Sequence, residues 1–181
     1  QGCRLISPPG ERFDWIVGAY VDTSDHEVDN TIRYAGRFIV FNLDGQMTSR
    51  YNQSGEAYSA FATGTWRFTD ALRAVTGVRW TQVHKEGDYV LGNDFGPNFL
   101  GSAPSGPFKG ELTNVSIDPS VTLQYDVTPD VMVYANYSKG SKGGAFQGSN
   151  RSVTASTFQL QPERSTNTEV GLKAQPAYWL T

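Results

Sequence analysis

The chain has 181 residues, the length of one domain or of part of a larger one. Charged residues make up 18%, against roughly 25% in an average soluble domain, and aromatic residues make up 13%. The net charge is -3 and no run of Lys or Arg occurs, so nucleic acid is not an expected partner. Cys3 is the single cysteine, which excludes an internal disulfide and a multi-cysteine metal site.

The composition favours strands and turns over helices. Ten Phe, nine Tyr and four Trp suit pleated sheets, and nineteen Gly with nine Pro divide the chain into short elements. No stretch approaches the ~18 consecutive apolar residues of a membrane-spanning helix. This does not exclude a transmembrane barrel, because the strands of such a barrel alternate apolar and polar residues.

Alternation of apolar and polar residues predicts the strands in chain order. The first strand starts at Phe13, and the next two form a pair around a short turn at residues 69–71. The clearest alternation runs over residues 114–125. The predicted strands lie near residues 13–22, 56–68, 72–86, 111–125, 131–140 and 165–174, and one more is expected to start at Tyr178.

Short and long connections between these strands alternate. Turns of about three to five residues lie near residues 70, 128 and 176, whereas more than about twenty residues follow Val21, Glu86 and Gly140. Consecutive connections of an up-and-down sheet lie at opposite ends, so one end is predicted to be trimmed and the other loop-rich. Outer-membrane barrels have this asymmetry between periplasmic turns and extracellular loops.

Aromatic residues occupy two levels of the apolar positions. Those near the short turns are Phe68, Trp66 and Tyr125, and those about seven to eleven residues further along are Tyr58, Trp80 and Tyr137. Rings at both edges of an apolar band are typical of a membrane-spanning barrel. The same alternation also fits a soluble lipocalin-like barrel or sandwich, since periodicity does not tell which face points outward.

Four segments resemble a known family. The run DVMVYANYSKGSKGGAF at residues 130–146 is similar to a strand and loop start of TonB-dependent outer-membrane receptors. Residues 161–174, QPERSTNTEVGLKA, are similar to the strand that follows it in that family. Residues 77–80 and 13–20 resemble two earlier barrel strands. The segments occur in the family's order and together span most of the chain.

The resemblance implies an all-β fold, an antiparallel up-and-down meander that forms an incomplete part of a transmembrane β-barrel of about 22 strands. Residues 1–181 are expected to contribute about six or seven strands, without the plug domain and the TonB box. The family implies the bacterial outer membrane and uptake of a scarce nutrient. The implied partners are outer-membrane lipid, TonB, the plug and a ferric siderophore or cobalamin-like ligand, and neither a cofactor nor enzymatic activity is expected.

Candidate ligand contacts come from a predicted loop and from the polar strand positions. In the loop over residues 87–110, four rings either stack on a flat ligand or pack the loop itself: Tyr89, Phe95, Phe99 and Phe108. The cations assigned to polar positions are Arg67, Arg73, Arg79, Lys139 and Lys173. In a lumen these cations either guide an anionic ferric chelate or pair with Glu169 and other acids. Arg79, Lys139 and Lys142 are the cations expected to contact the ligand.

Metal and catalytic sites are not predicted. One acidic segment contains Asp22, Asp25, His26, Glu27 and Asp29. Its spacing fits no metal site, so a solvated acidic loop is expected there. His84 has no flanking motif of a catalytic serine. The alternative functions are another, porin-like outer-membrane barrel and a soluble β-sandwich binding module, and burial of the apolar positions in a core favours the sandwich.

Overall fold

The computed structural model describes residues 1–38, 41–94, 104–148 and 153–175. Side chains are described for these residues except within residues 35–44. Nearly all of these residues lie in strands. The elements are β1 Gly2–Ile6, β2 Phe13–Phe38, β3 Phe41–Arg67, β4 Leu72–Asn93, β5 Ser105–Thr128, β6 Val131–Lys142, β7 Ala145–Phe146, α1 Ala155–Phe158, β8 Gln159–Leu160 and β9 Glu163–Ala174. No helix in the described part is long and apolar enough to cross a membrane.

Seven strands form one antiparallel sheet in the order β1-β2-β3-β4-β5-β6-β9. Each strand pairs with its neighbour in the chain, except that β7, α1 and β8 lie between β6 and β9. β7 and β8 form a separate two-stranded sheet. The main sheet is an up-and-down meander whose edge strands β1 and β9 do not pair with each other, as predicted for an unclosed part of a barrel.

The strand register gives the main sheet an apolar face and a polar face. In one cross-strand row, Val17 pairs with Ala62, Ala62 with Val78, and Val78 with Pro119. The adjacent row joins Thr63, Gly77 and Ser120 and lies on the opposite face, because successive strand residues alternate between faces. The predicted alternation is therefore confirmed across β2 to β5.

The apolar face does not form a closed core within the described residues. Leu123 on β5 is 47% exposed and Leu172 on the edge strand β9 is 63% exposed. Aromatic rings also lie outward on this face, and Phe13 contacts Trp66 with 4.0 Å between ring centroids. This arrangement differs from the buried interior that a soluble sandwich requires.

The strands are longer than predicted, which corrects two of the three long connections. β2 continues from Val21 to Phe38 and pairs along its whole length with β3, so the predicted acidic loop at residues 22–29 is a strand. β4 continues past Glu86 to Asn93, and β5 begins at Ser105. β1, which pairs with β2, was not predicted. The strand expected from Tyr178 lies outside the described residues.

We call the end of the sheet with the turns at residues 68–71 and 129–130 the turn end, and the opposite end the loop end. The buried hydrophobic cluster lies at the loop end, and its members are Met47, Tyr51, Tyr89, Leu91, Leu112, Phe146, Val153 and Phe158. The first five of these residues belong to the polar-face positions of β3, β4 and β5. The other three belong to what we call the docked segment, residues 143–148 and 153–160, which folds over that face.

Candidate ligand-binding site

The charged side chains on the polar face near the turn end are paired. Arg67 on β3 lies 2.5 Å from a carboxylate oxygen of Asp14 on β2. Arg73 on β4 lies 2.6 Å from Asp126 on β5 and donates a second bond to Gln124. These cations fit the interpretation in which lumenal charges pair with acids, and they have little capacity left for a ligand.

Two other polar-face cations contact aromatic rings. The guanidinium carbon of Arg79 lies 5.7 Å from the centroid of the Phe61 ring, and Lys173 Nζ lies 5.6 Å from that of Tyr134. Glu169 accepts a hydrogen bond of 2.6 Å from the Tyr134 hydroxyl. Glu169 thus has a phenol partner, whereas the expected pairing was with a cation.

Lys139 lies on the apolar face, which corrects its assignment to a polar position. The register places Tyr137 opposite Thr168 and Lys139 opposite Thr166, and Tyr137 pairs with Val121 of the apolar face. Because β6 alternates regularly here, Lys139 shares the side of Tyr137. It lines a groove with Ile117 on that side. A long cationic side chain beside an apolar band extends along it to reach water.

A cleft of about 410 Å³ opens on the polar face between the strands and the start of the docked segment. We call it the polar-face cleft. Its lining residues are Tyr20, Asp22, Ala57, Ser59, Arg79, Thr81, Val83, Asn114, Val115, Ser116, Asp118, Ser141, Lys142, Gly143, Pro162, Glu163 and Arg164. Two of the predicted cations, Arg79 and Lys142, therefore meet in one cavity.

Most acids of the polar-face cleft have a hydrogen-bond donor or cation nearby. Asp118 accepts a bond of 2.6 Å from Ser141, and Asp22 accepts one of 3.1 Å from Tyr20. Lys142 Nζ lies 4.0 Å from Glu163. Arg79, in contrast, forms no ion pair with any residue in the described ranges. Arg164, which also lines the cleft, likewise forms no ion pair within the described ranges. Each of these two guanidinium groups carries five N–H donors, so both have hydrogen-bonding capacity left for a ligand.

The aromatic residues predicted to touch the ligand have different positions. Tyr89 is 1% exposed within the hydrophobic cluster, and Phe108 packs against the cluster with its ring centroid 6.0 Å from that of Phe158. Burial raises the pKa of the Tyr89 phenol, so the ring stays neutral. Both residues lie in paired strands, Tyr89 in β4 and Phe108 in β5, so the predicted loop does not begin at residue 87 or extend to residue 110. The two rings pack in and against the hydrophobic cluster. Phe95 and Phe99 lie outside the described residues.

A larger concavity of about 710 Å³ lies among the loop-end strands. Its charged lining residues are Asp25, Glu27, Glu86, Asp88, Lys109 and Glu111, together with His26. Five acids against one Lys disfavour an anionic ligand. No group of three or more His, Cys, Asp or Glu suited to a metal ion occurs within the described ranges.

Some cleft residues were missed although the sequence contained a signal for them. Tyr20, Asn114 and Asp118 all occupy polar positions of predicted strands. Asp118 pairs with Arg79, Tyr20 lies in the row of Thr81, and Asn114 pairs with Val83. The signal for these residues is their place at polar strand positions near Arg79. The contribution of the docked segment to the cleft has no such signal, because it depends on a fold between β6 and β9.

The fold and the two faces define a class of protein. An antiparallel meander with one apolar and one polar face, and with short turns at one end, is part of the wall of a large up-and-down β-barrel. Residues 9–181 match the protein family described as TonB dependent receptor-like, beta-barrel. The chain therefore belongs to the TonB-dependent receptor β-barrel family, whose members are receptors of the bacterial outer membrane.

The fold is similar to the crystal structure of the ferric yersiniabactin uptake receptor FyuA from Yersinia pestis. The match covers 97% of this chain with a TM-score of 0.72 and 19% sequence identity. It covers 26% of FyuA, so the chain spans about a quarter of the length of that receptor. At this identity the match demonstrates a shared fold, and it confirms the predicted unclosed barrel meander.

Proposed function

We propose that the chain forms part of the barrel wall of a TonB-dependent outer-membrane transporter that takes up a ferric siderophore. The apolar face contacts outer-membrane lipid, and the polar face lines the lumen around the plug. TonB, which couples uptake to the energised inner membrane, acts through parts of the receptor beyond this wall. The family and the two-faced sheet support this role.

The observation that carries the proposal is the polar-face cleft with Arg79 at its wall. The guanidinium lies on the lumenal side, stacks on Phe61 and forms no ion pair with a described residue. A confined wall of low dielectric strengthens the field of such a cation. The cleft is lined by three cations, Arg79, Lys142 and Arg164, and by three acids, Asp22, Asp118 and Glu163. Each acid already has a hydrogen-bond donor or a cation nearby, so the cleft suits an anionic chelate that contacts Arg79 and Arg164.

Binding of ferric chelates to the purified full-length receptor tests this role. The probes are ferric yersiniabactin, a ferric tris-catecholate with net charge -3, an uncharged ferric tris-hydroxamate and cyanocobalamin, each titrated by quenching of tryptophan fluorescence. Arg79→Gln is expected to weaken the tightest anionic chelate about tenfold or more, since a hydrogen bond to a charged group contributes about 1.5–3 kcal/mol.

Lys139→Gln is the matched control, because Lys139 lies on the opposite face of the same sheet. It is expected to leave the affinity unchanged. Equal affinities of the wild type and Arg79→Gln for every anionic chelate would contradict the assigned site. Tighter binding of cyanocobalamin than of any ferric chelate would show that the ligand is a cobalamin and not a siderophore. Uptake into cells that lack TonB would indicate a porin-like barrel.

A further inference from the structure

The ring of Phe146 in the docked segment lies in a slot formed by two glycines. Gly87 on β4 and Gly110 on β5 are directly opposite each other across the sheet. A Cβ atom at either glycine would lie 2.5 Å from a carbon of the Phe146 ring, which is closer than any real Cβ contact. Neither glycine has a positive φ, so space for the ring is the reason that a side chain does not fit.

The residues beside Phe146 are bonded to both flanking strands. The amide N–H of Gly144 donates to Asn114 Oδ1 on β5 at 2.8 Å, and its carbonyl accepts from Lys85 Nζ on β4 at 3.2 Å. The Tyr51 hydroxyl on β3 lies 3.3 Å from the Phe146 carbonyl and 2.8 Å from Gln53 Oε1, so its single proton is shared between two acceptors. Three neighbouring strands therefore hold the start of the docked segment.

The second half of the docked segment is held through Phe146. Phe158 of α1 stacks on the Phe146 ring with 5.0 Å between centroids, and the Gln147 amide donates to the Phe158 carbonyl at 2.8 Å. Phe146 and Phe158 are 6% and 3% exposed. Because removing a buried ring leaves a cavity, the slot contributes much of the docking free energy.

We propose that Phe146 is a positioning residue whose seat in the Gly87–Gly110 slot fixes the docked segment and, through it, the border of the polar-face cleft. Gly143, which lines that cleft, precedes Phe146 by only three residues, whereas Lys142 is held at the end of β6 by its pairing with Glu163. When the ring leaves its slot, Gly143 loses its fixed position relative to Arg79 and Lys142. The effect on ligand rests on the proposed function, whereas the docking itself does not.

Hydrogen exchange in the full-length receptor, measured by mass spectrometry without ligand, tests the docking. Gly87→Ala and Gly110→Ala insert a methyl group into the slot and are expected to speed exchange of the Gly144 and Gln147 amides at least tenfold. Gly92→Ala is the control on the same strand, since its Cβ would meet only Thr48 Oγ1 at 3.2 Å. That variant is expected to exchange like the wild type.

Repeating Gly87→Ala in a Phe146→Ala variant distinguishes a clash with the Phe146 ring from general damage to the sheet. In Phe146→Ala, exchange of the segment is itself expected to be fast, and adding Gly87→Ala is expected to change it less than twofold. Unchanged exchange in both glycine variants would overturn the proposal. So would an equal effect of Gly87→Ala in the wild-type and Phe146→Ala backgrounds, because the methyl group would then act elsewhere.

Titration with the tightest ferric chelate completes the test. Gly87→Ala is expected to weaken binding about tenfold, with Gly92→Ala unchanged. Fast exchange with wild-type affinity would overturn the positioning of the cleft by Phe146. That result leaves the Arg79→Gln comparison unaffected, so failure of the slot and failure of the proposed function are distinguishable.

Discussion

The turn end and the loop end of the sheet use the same strands in different ways. Near the turn end one face is apolar and exposed, and the other is polar with paired charges such as Arg73 and Asp126. Near the loop end the hydrophobic residues lie on the polar-face positions, where the docked segment buries them. The hydrophobic side of the sheet therefore changes between its two ends.

The two ends of the sheet are stabilised by different interactions. The turn end relies on strand pairing, and its apolar face stays exposed within the described residues. The loop end has its own core, with Leu112, Phe146 and Phe158 buried as in a soluble protein. Substitutions of the same type should thus have different consequences at the two ends.

The largest expected difference is between two leucines on β5. Leu112 is 6% exposed in the hydrophobic cluster. The substitution Leu112→Ala should lower local stability by about 2–5 kcal/mol, because it leaves a cavity. Leu123→Ala on the apolar face should cost less than about 1 kcal/mol, since lipid fills the space. Opening free energies from hydrogen exchange of residues 143–148 and of β5 measure both. Equal costs would remove the distinction between the two ends.

A charge introduced on the apolar face of the sheet should cost more folding stability than one introduced on the polar face. Val78 is 45% exposed on the apolar face. In lipid vesicles, the substitution Val78→Arg should lower the folding stability of the receptor by about 2–4 kcal/mol. Thr65→Arg is the control, because Thr65 lies on the polar face opposite Asp14. Denaturant unfolding of the full-length receptor is the measurement. A greater loss for Thr65→Arg would reverse the assignment of the two faces.

The smallest expected effect concerns ion pairs on the polar face. A double-mutant cycle of Arg73→Ala and Asp126→Ala should give a coupling of about 1 kcal/mol, since both side chains are only partly exposed and 2.6 Å apart. Lys142 and Glu163, largely exposed and 4.0 Å apart, should couple by a few tenths of a kcal/mol at most. Similar couplings in the two cycles would show that position along the sheet does not matter.

The parts of the fold that could be predicted are those where each face meets one environment. Alternation over residues 114–125 gave β5 its two faces because lipid and water impose opposite demands on successive residues. Beyond Val21 on β2 this contrast ends, and acids such as Asp25 and Glu27 occur on the former apolar side. The strand continues there through pairing with β3, so a composition-based analysis predicts a loop.

The site was predictable to a similar extent. Arg79 follows from its polar position, and Lys142 was placed with it, whereas the assignment of Lys139 failed because Tyr137 already fixed that side of β6. The slot of Gly87 and Gly110 was not predictable, since it requires the register of β4 against β5 and a ring from a distant segment. Such contacts depend on pairing that no local pattern encodes.

The length of the β2–β3 hairpin has one further consequence. With 26 residues in β2, at about 3.3 Å each, the hairpin extends roughly 85 Å, of which about ten residues suffice to cross a bilayer. A fluorophore attached at Thr31, which pairs with Thr48, would stand well clear of the headgroups on a stiff two-stranded arm.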